Sequence, residues 1–274
     1  LQILYEILSE KTYVPGEYKV KEIHDPKDRI IMIAPFFPDR IIHHCVINVL
    51  SPFWTHIFIA NTYACIKGRG IQKCADDVGK ALMLDFAGTQ FCLKTDITKY
   101  YDHIDHAVLK AILRYTIDDE DLLELLFKII DSNGKNVGLP IGNFTSQYLA
   151  NIYLAYFDHW VKEELARMVK QKFGCKIYYF RYMDDMVFLA ETKEALQFVL
   201  DMAGLYLGAE LHVEFEHTWQ IFPVDDRSID FVGFKQNHYN ILLRKTILLK
   251  FYKKLEETQK HYLIKNEEGI KHLF

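Results

Sequence analysis

Three carboxylates stand out in the sequence because their positions could bring them together at one site. Asp184 and Asp185 are adjacent and lie between two short runs rich in β-formers, residues 177–183 and 186–190. This pattern predicts a β-hairpin with both acids at its tip. Asp96 ends an apolar run, which predicts a buried strand that delivers a carboxylate near its C-terminal end. Carboxylate oxygens are ligands of Mg²⁺ and other hard cations, so metal binding is one use for these acids.

An Asp-Asp hairpin tip also has a plainer interpretation as an exposed acidic turn. A two-residue hairpin turn usually contains Asn-Gly or Asp-Gly, because its backbone adopts positive φ values. Asp-Asp is a costlier choice there, and backbone strain tolerated at a turn often marks a functional site. Residues elsewhere in the chain must decide between these two interpretations.

The composition is that of a globular protein with free thiols. Half of the 274 residues are apolar, which is enough to bury a sizeable core. The five cysteines are scattered without a Cys-x-x-Cys pair, which favours reduced thiols in a cytoplasm over disulfides or a zinc site. No apolar run approaches the roughly 18 residues of a membrane span and no signal peptide is visible. We therefore expect a cytoplasmic protein that makes no membrane contacts.

The charge is unevenly distributed. A net charge of −4 argues against general nucleic-acid binding, since phosphate contacts favour a basic surface. Residues 244–271 nevertheless carry eight Lys or Arg against four Glu. This segment is either a solvated helix face or a local basic surface that a polyanion could contact.

The periodicity of apolar residues predicts the order of the elements. They are a helix within residues 1–17, a hairpin at 18–34, helices at 41–53 and 71–84 separated by a loop at 60–70, a strand at 91–96, helices at 104–113 and 119–130, a loop at 138–147 that starts a helix to about 169, the acidic hairpin, a helix at 196–207, and strands at 211–215 and 230–234. Asp102 or Asp105 is the expected N-cap of the helix at 104–113. The order is that of an α+β, ferredoxin-like split βαβ arrangement, in which the Asp96 strand can lie beside the acidic hairpin.

Four motifs occur in the order in which reverse transcriptases carry them, so the chain resembles that family over roughly residues 18–250. They are Asp96 with Tyr101, the Leu-Pro-Ile-Gly of residues 139–142, the Tyr-Met-Asp-Asp of residues 182–185 and the Phe-Val-Gly-Phe of residues 231–234. The resemblance implies a right-hand polymerase. It would have fingers over residues 1–95, a ferredoxin-like palm with an antiparallel sheet over residues 96–236, and the start of a short helical thumb over residues 237–274.

Within the family, the sequence resembles the bacterial and phage enzymes of diversity-generating retroelements. Residues 141–147 look like the Ile-Gly-x-x-x-Ser-Gln pattern of that branch, and residues 39–44, 61–65 and 219–224 resemble it as well. In such retroelements, cDNA is copied from a template-repeat RNA with frequent errors opposite adenine. It then replaces a variable repeat in a target gene, with help from a small basic accessory protein.

The resemblance implies RNA-templated DNA synthesis from dNTPs on a DNA primer, with two Mg²⁺ ions or with Mn²⁺ as a substitute. Asp96 and Asp184 are the implied metal ligands, and the backbone carbonyl of Ile97 is the third. Neighbouring side chains on a strand point to opposite faces, so Asp185 would only approach the first metal. All three aspartates are implied catalytic residues.

Further residues are implied in binding of the nucleotide. Tyr101 would stack under the incoming sugar and exclude a 2′-hydroxyl, unless it is a core tyrosine. Arg29 would hold the triphosphate with Lys27 or Lys21 behind it, because a guanidinium grips phosphate oxygens in a bidentate fork. The alternative for these hairpin cations is a purely solubilising role.

The loop at 138–147 and the hairpin tip supply the remaining implied contacts. Gly142 would let the backbone approach the nascent base pair, and Gln147 would bind the nucleotide. Ile141 stands where retroviral relatives carry a glutamine that can form hydrogen bonds, so it is either a fidelity determinant or an apolar loop anchor. Residues implied near the primer and template are Tyr182, Met183 and Gly233.

The sequence departs from the family at the general acid. Many relatives carry a lysine after the post-hairpin helix, where it can protonate the pyrophosphate leaving group. Residues 213–218 contain no lysine here. His217 could act as the acid, since its ordinary pKa is close to neutrality, or it is a surface histidine.

Three other functions remain open at this point. One is a bacterial reverse transcriptase of the retron, group II intron-like or phage-defence type. Another is a catalytically silent RNA-binding scaffold with the same fold. The third is a terminal transferase that adds nucleotides without a template.

Overall fold

The computed structural model describes residues 2–24 and 29–271, and their side chains as far as residue 262 with the exception of His261. The helices are α1 (Gln2–Ser9), α2 (Ile41–Ile57), α3 (Ile71–Leu84), α4 (Tyr100–His103), α5 (His106–Thr116), α6 (Glu120–Ile130), α7 (Phe144–Tyr153), α8 (Ala155–Trp160), α9 (Ala166–Phe173), α10 (Lys193–Leu211) and α11 (Lys245–Lys271). The strands are β1 (Lys19–Ile23), β2 (Arg29–Ile33), β3 (Thr62–Tyr63), β4 (Phe91–Thr95), β5 (Ile177–Tyr182), β6 (Asp185–Ala190), β7 (Gln220–Pro223), β8 (Ile229–Phe231), β9 (Phe234–Gln236) and β10 (Ile241–Leu243).

A five-stranded sheet with the order β3-β5-β6-β4-β7 forms the centre of the fold. Four of its strands are antiparallel to their neighbours, which confirms most of the predicted sheet. The fifth strand, β3, runs parallel to β5, so the sheet is mixed rather than antiparallel. The prediction of a loop throughout residues 60–70 was therefore wrong at Thr62 and Tyr63.

The sheet is apolar on both faces because a cluster of buried side chains covers each face. Leu93, Met186 and Phe188 point into the larger cluster, which helices α5 to α10 complete. Cys92, Val187 and Leu189 point into a smaller cluster with side chains of α3 and β8. Burial on both faces explains why β6 is apolar from Met186 to Ala190, and β4 from Phe91 to Leu93, rather than alternating.

Register places Asp96 beside the acidic hairpin. Thr95 pairs with Met186, so Asp96 follows β4 at the end of the sheet where β6 begins. Tyr182 pairs with Asp185, which makes Met183 and Asp184 the two turn residues. The predicted Asp-Asp tip is thus shifted by one residue, and Asp185 is the first residue of β6. A shift of register would turn every buried side chain of β5 and β6 to the other face, so burial fixes this turn.

Several predicted elements are confirmed in detail. The hairpin at 18–34 consists of β1 and β2, and α3 has the predicted bounds. Asp105, not Asp102, caps α5, since its carboxylate accepts hydrogen bonds from the amides of Ala107 at 2.8 Å and Val108 at 3.2 Å.

Two predicted strands were wrong. Helix α10 continues to Leu211 because Leu207 and Leu211 extend its apolar stripe, and from residues 211–215 only Phe215 makes a β-bridge, to Ile97. The predicted strand at 230–234 is interrupted by a turn at Val232 and Gly233, where φ is 44° and 88°. It is therefore the hairpin of β8 and β9, in a second sheet with the order β10-β9-β8.

All five cysteines are free, and Cys45 and Cys65 are exposed. Within residues 2–24 and 29–271, no helix is both long enough and apolar enough to cross a membrane.

Candidate active site

A cleft of about 1010 Å³ lies between the β1–β2 hairpin and the tip of the β5–β6 hairpin. It brings together most of the residues singled out from the sequence, namely Arg29, Asp96, Ile97, Tyr101, Ile141, Tyr182, Met183, Asp184 and Asp185. Gly142, Gln147 and Gly233 do not line this cleft. Lys27 lies outside the described residues.

Residues 214–216 hold Asp96 in place beyond the end of β4. The amide of Glu216 donates to the Asp96 carbonyl at 2.8 Å, and the amide of Thr98 donates to the Glu214 carbonyl at 3.0 Å. These bonds flank the bridge between Ile97 and Phe215, and neither uses the Ile97 carbonyl. Ile97 and Asp96 both line the cleft.

Asp184 occupies an electrostatically unfavourable position for a carboxylate. Burial, together with the charges of Asp185 and Asp96, raises its pKa from 3.8 to about 6. Its own backbone amide and the guanidinium of Arg29 act in the opposite direction. The three acids and Arg29 are thus close enough to interact, and a cation among them would relieve the repulsion between the acids.

The two neighbouring tyrosines of α4 have different environments. Tyr100 is 2% exposed, and its hydroxyl donates to the Ala150 carbonyl, so it is a core residue. Tyr101 is only partly buried and lines the cleft. Burial and the charges of Cys65 and Asp184 raise the pKa of Tyr101, while Arg29 lowers it. Tyr101 therefore lies between the acidic and the basic side of the cleft.

The loop before α7 connects the two sides of the cleft through its backbone. The amide of Leu139 donates to the Tyr101 carbonyl at 2.8 Å, and the amide of Met32 donates to the Ile141 carbonyl at 2.8 Å. Gly142 has a φ of 118°, and a Cβ there would come within 2.7 Å of Ile31 Cγ2. Glycine is therefore required for the loop to approach β2, a contact different from the predicted one with the nascent base pair.

The other two predicted residues outside the cleft have identifiable partners. Gln147 is exposed on α7, where its Oε1 accepts a hydrogen bond from Cys65 Sγ at 3.2 Å. Gly233 lies in the β8–β9 turn, and its carbonyl accepts from the Arg244 amide at 2.8 Å at the start of α11. Sequence reasoning had no signal for either contact.

Residues 23–235 match the family model described as reverse transcriptase (RNA-dependent DNA polymerase). The chain belongs to the reverse transcriptase family. Its α+β fold and the predicted resemblance to that family are thereby confirmed. The family match does not separate the diversity-generating branch from the others, so the branch stays a prediction.

Two curated relatives illustrate the range of the family. The chain is 28% identical over 177 residues to protein YkfC of Escherichia coli (strain K12), which covers 60% of this chain and 45% of that protein. It is 25% identical over 169 residues to the group II intron-encoded protein LtrA of Lactococcus lactis subsp. cremoris, covering 58% of this chain and 27% of that protein. These matches span less than half the length of either relative.

Solved structures of telomerase share the fold. Telomerase from Candida Tropicalis in complex with a TWJ fragment of telomeric RNA superposes with a TM-score of 0.61 at 12% identity, covering 89% of this chain and 48% of that chain. The apo telomerase from the same organism, truncated from its C-terminal domain, gives a TM-score of 0.56 at 13% identity, covering 88% and 59%. At this level of identity the likeness concerns the fold alone.

The oxygen donors in the cleft fit a divalent cation whose remaining coordination positions are filled by substrate and water. Among the residues that the structure describes, no three His, Cys, Asp or Glu side chains form a ready-made metal cluster. Asp96 and Asp184 with the Ile97 carbonyl form a smaller set. Mg²⁺ in enzymes of nucleotide chemistry is commonly held by one or two carboxylates, with waters and substrate phosphates filling the remaining positions. The donor set is of that kind.

Sequence reasoning missed several residues that border or support the cleft. Lining residues without a predicted role include Glu22, Lys99, Asp102, Glu216 and Thr218. His217, the candidate acid, is exposed between the last two. Behind the hairpin lies Arg181, which is fully buried against Asp158. One signal could have revealed it, since a charged residue within a strand predicted to be buried is rarely without a partner.

Proposed function

We propose that this chain carries the polymerase centre of an RNA-directed DNA polymerase. The observation that supports this most is the composition of the cleft in a member of the reverse transcriptase family. The cleft is lined by Asp96, which follows β4, by the carboxylates of the β5–β6 hairpin, and by Arg29 of the β1–β2 hairpin. Nucleotidyl transfer needs this pairing of an acidic, metal-binding side with a cationic, phosphate-binding side.

The reaction joins the primer 3′-hydroxyl oxygen to the α-phosphorus of a dNTP and releases pyrophosphate. Two bound divalent ions would activate the hydroxyl and offset charge on the phosphates. We assign Asp96, Asp184 and the Ile97 carbonyl to hold these ions, with Asp185 approaching one of them. Asp184 must lose its proton to serve, and its pKa of about 6 makes that loss easy at neutral pH.

The remaining residues would bind and select the nucleotide. Arg29 would bind the triphosphate, with Lys27 or the exposed Lys21 of the same hairpin as the second cation. Tyr101 would lie under the sugar and exclude the 2′-hydroxyl of ribonucleotides. Tyr182 and Met183 would contact the primer end. Gln147 and Gly233 do not line the cleft and are hydrogen-bonded to Cys65 and Arg244.

We assign the fingers to residues 1–95, the palm to residues 96–236 and the start of the thumb to residues 237–274. The β1–β2 hairpin borders the cleft from the first segment, and the acids occupy the second. Helix α11 begins at Lys245 with exposed basic and aromatic side chains, as expected of a segment that contacts a nucleic-acid duplex.

We further propose that the enzyme belongs to the diversity-generating branch and copies a template-repeat RNA with errors opposite adenine. The Ile-Gly-x-x-x-Ser-Gln pattern of residues 141–147 supports this branch. The net charge of −4 supports a role for a small basic accessory protein, since a cationic partner would attract the RNA.

Primer extension by the whole natural protein tests the proposal. The assay compares an RNA template, a DNA template and no template, each with Mg²⁺, with Mn²⁺ and with EDTA. We expect metal-dependent extension whose product sequence follows the RNA template. Extension without a template would identify a terminal transferase, and absence of extension under every metal condition would leave an RNA-binding scaffold.

A further inference from the structure

The β5–β6 hairpin is attached to the core by an ion pair that has no contact with solvent. Arg181 of β5 and Asp158 of α8 are both 0% exposed. Arg181 Nε donates to Asp158 Oδ1 at 2.7 Å, and Arg181 Nη2 donates to Asp158 Oδ2 at 2.6 Å. The guanidinium therefore meets the carboxylate as a bidentate fork, which fixes the plane of the arginine.

Two hydroxyl groups fix the carboxylate in turn. Thr62 Oγ1 of β3 donates to Asp158 Oδ2 at 2.6 Å, and the Tyr179 hydroxyl of β5 donates to Asp158 Oδ1 at 2.7 Å. Each carboxylate oxygen thus accepts two hydrogen bonds. A fully satisfied buried network of this kind is rigid.

The third nitrogen of the guanidinium contacts the hairpin turn. Arg181 Nη1 donates to the Met183 carbonyl at 3.0 Å and to Asn151 Oδ1 at 3.0 Å. The Met183 carbonyl belongs to the peptide that joins Met183 to Asp184. Arg181 therefore holds the peptide that directs the Asp184 side chain.

The turn needs such a restraint because its backbone is in an unfavourable region. Met183 has a φ of 55°, which is uncommon for a residue other than glycine. A turn in this conformation persists only where surrounding contacts determine it. A buried ion pair is by itself a weak source of stability. Stability alone therefore does not explain why Arg181 Nη1 also donates to the turn.

We propose that Arg181 is a positioning residue that, anchored by Asp158, holds the Met183–Asp184 peptide so that the Asp184 carboxylate faces Asp96. This inference rests on the proposed function, because it takes Asp184 as a metal ligand. It adds a role for two residues that contact neither metal nor substrate.

The test is binding of Mn²⁺ to the metal-free, substrate-free protein, measured by the electron paramagnetic resonance signal of the free ion. Arg181→Lys keeps a positive charge opposite Asp158 but lacks the planar fork that reaches the turn. We expect the variant to remain folded and to bind Mn²⁺ roughly 10- to 100-fold more weakly, as for losses of groups that orient ligands. In primer extension, kcat should fall in parallel while the KM for dNTP changes little.

A matched control is Arg244→Lys. Arg244 also donates to a single aspartate, through Nε to Asp230 Oδ1 at 2.8 Å, but it lies at the start of α11 and does not contact the hairpin. Its substitution should leave the affinity for Mn²⁺ unchanged. Asp96→Asn marks the signal expected when a ligand itself is lost.

Unchanged Mn²⁺ affinity in folded Arg181→Lys would overturn the proposal, as would a wild-type protein that binds Mn²⁺ no better than Asp96→Asn. If Arg181→Lys does not fold, the double variant Arg181→Met with Asp158→Leu replaces both charges by apolar groups, a change that folds often tolerate. A folded double variant with weakened Mn²⁺ binding supports the proposal, and one with wild-type binding overturns it. Failure of both variants to fold also overturns it, since the pair would then serve the whole fold.

The two proposals fail separately. Binding of Mn²⁺ that depends on Arg181, in a protein that extends no primer, would leave the positioning role intact and reject the polymerase function. RNA-templated extension with normal metal binding by Arg181→Lys would support the polymerase function and reject the positioning role.

Discussion

The two β-hairpins that face each other across the cleft differ in how they are held. β5 and β6 are covered on both faces by apolar clusters, and the buried pair of Arg181 and Asp158 restrains their turn. β1 is exposed at four of its five residues, and β2 is exposed at Arg29 and Ile30 and half-buried at the next three. They are attached by the bond between Met32 and Ile141, and by Tyr18 at their base, whose hydroxyl accepts from Asn143 Nδ2 at 2.6 Å.

This difference separates two tasks. Metal binding requires carboxylates fixed in position, whereas a phosphate-binding arm must admit and release each nucleotide. We therefore expect changes in the β5–β6 hairpin to act mainly on kcat, and changes in the β1–β2 hairpin to act mainly on the KM for dNTP.

The largest expected effect is on the rigid side. Asp96→Asn removes a charge that a metal ion needs, so we expect kcat for primer extension to fall at least about 1000-fold, in keeping with several kcal/mol of transition-state stabilisation. Steady-state kinetics on an RNA template measure this. Asp201→Asn, an exposed aspartate of α10, is the control and should behave as wild type. A kcat of Asp96→Asn close to that of wild type would remove Asp96 from the site.

The counterpart on the exposed β1–β2 hairpin is Arg29→Ala. Loss of hydrogen bonds to charged phosphates costs about 1.5–3 kcal/mol, so the KM for dNTP should rise roughly 10- to 100-fold. We expect kcat to change much less, in contrast to Asp96→Asn. Lys19→Ala is the control, since Lys19 is an exposed cation of the same hairpin that does not line the cleft. A fall in kcat without a change in KM would contradict the division of tasks.

The unfavourable environment of the Asp184 carboxylate should make the free energy of unfolding depend on pH. The pKa of Asp184 is raised from its usual value of 3.8 to about 6, first by burial and then by Asp185 and Asp96. Between these values the folded state keeps a proton that the unfolded state has lost. The free energy of unfolding is therefore highest, as far as Asp184 is concerned, below about pH 4, and it decreases as the pH rises through about 6.

The substitution Asp184→Asn removes the titrating carboxyl group, so the decrease in the free energy of unfolding with pH should disappear. In metal-free buffer at pH 8 we expect the variant to be more stable than wild type by roughly 2 kcal/mol, and at pH 4 the two should be nearly equal. Urea unfolding in EDTA at both pH values measures the difference. An equal gain at both pH values would show that the effect does not come from titration of Asp184.

The neighbouring tyrosines allow a sharper test within one element. Tyr101→Ala should improve incorporation of ribonucleotides relative to deoxyribonucleotides by about tenfold or more, because a steric filter disappears with its ring. Tyr100→Phe should leave that ratio unchanged and lower stability by about 1 kcal/mol, the value of one buried hydrogen bond. Competition between rNTP and dNTP on one template gives the ratio. An unchanged ratio in Tyr101→Ala would make Tyr101 a structural residue.

Sequence reasoning succeeded where the controlling interactions are local. The β-forming runs at 177–190, the apolar spacing of α3 and the cap of α5 all depend on residues a few positions apart. The approach of Asp96 to Asp184 followed from the predicted order of elements. Each of these predictions needed only periodicity and topology.

It failed where distant residues decide. The pair of Arg181 and Asp158 joins residues 23 positions apart on different elements, and periodicity contains no information about such a partner. The turn at Met183 and Asp184 depends on which faces of β5 and β6 become buried. The strand at Thr62 and Tyr63 exists because β5 offers a free edge.

The smallest expected effect lies in the loop before α7, which is hydrogen-bonded to β2. Ile141 lines the cleft, and its carbonyl accepts the hydrogen bond from Met32 that ties the loop to β2. Backbone geometry therefore anchors this loop, and the side chain remains free to act on the nascent pair. An isoleucine offers contact alone, whereas a glutamine can donate and accept hydrogen bonds.

One hydrogen bond contributes about 1 kcal/mol, which corresponds to roughly fivefold in error rate. We expect Ile141→Gln to lower misincorporation opposite template adenine by up to that factor, and to change errors opposite the other bases less. Sequencing of cDNA made by both enzymes on one RNA template measures this, with Ile141→Leu as an apolar control. Equal adenine error rates in all three proteins would make Ile141 an anchor of the loop. In that case the Arg29 contact on the β1–β2 hairpin or an accessory protein would have to account for any mutagenesis.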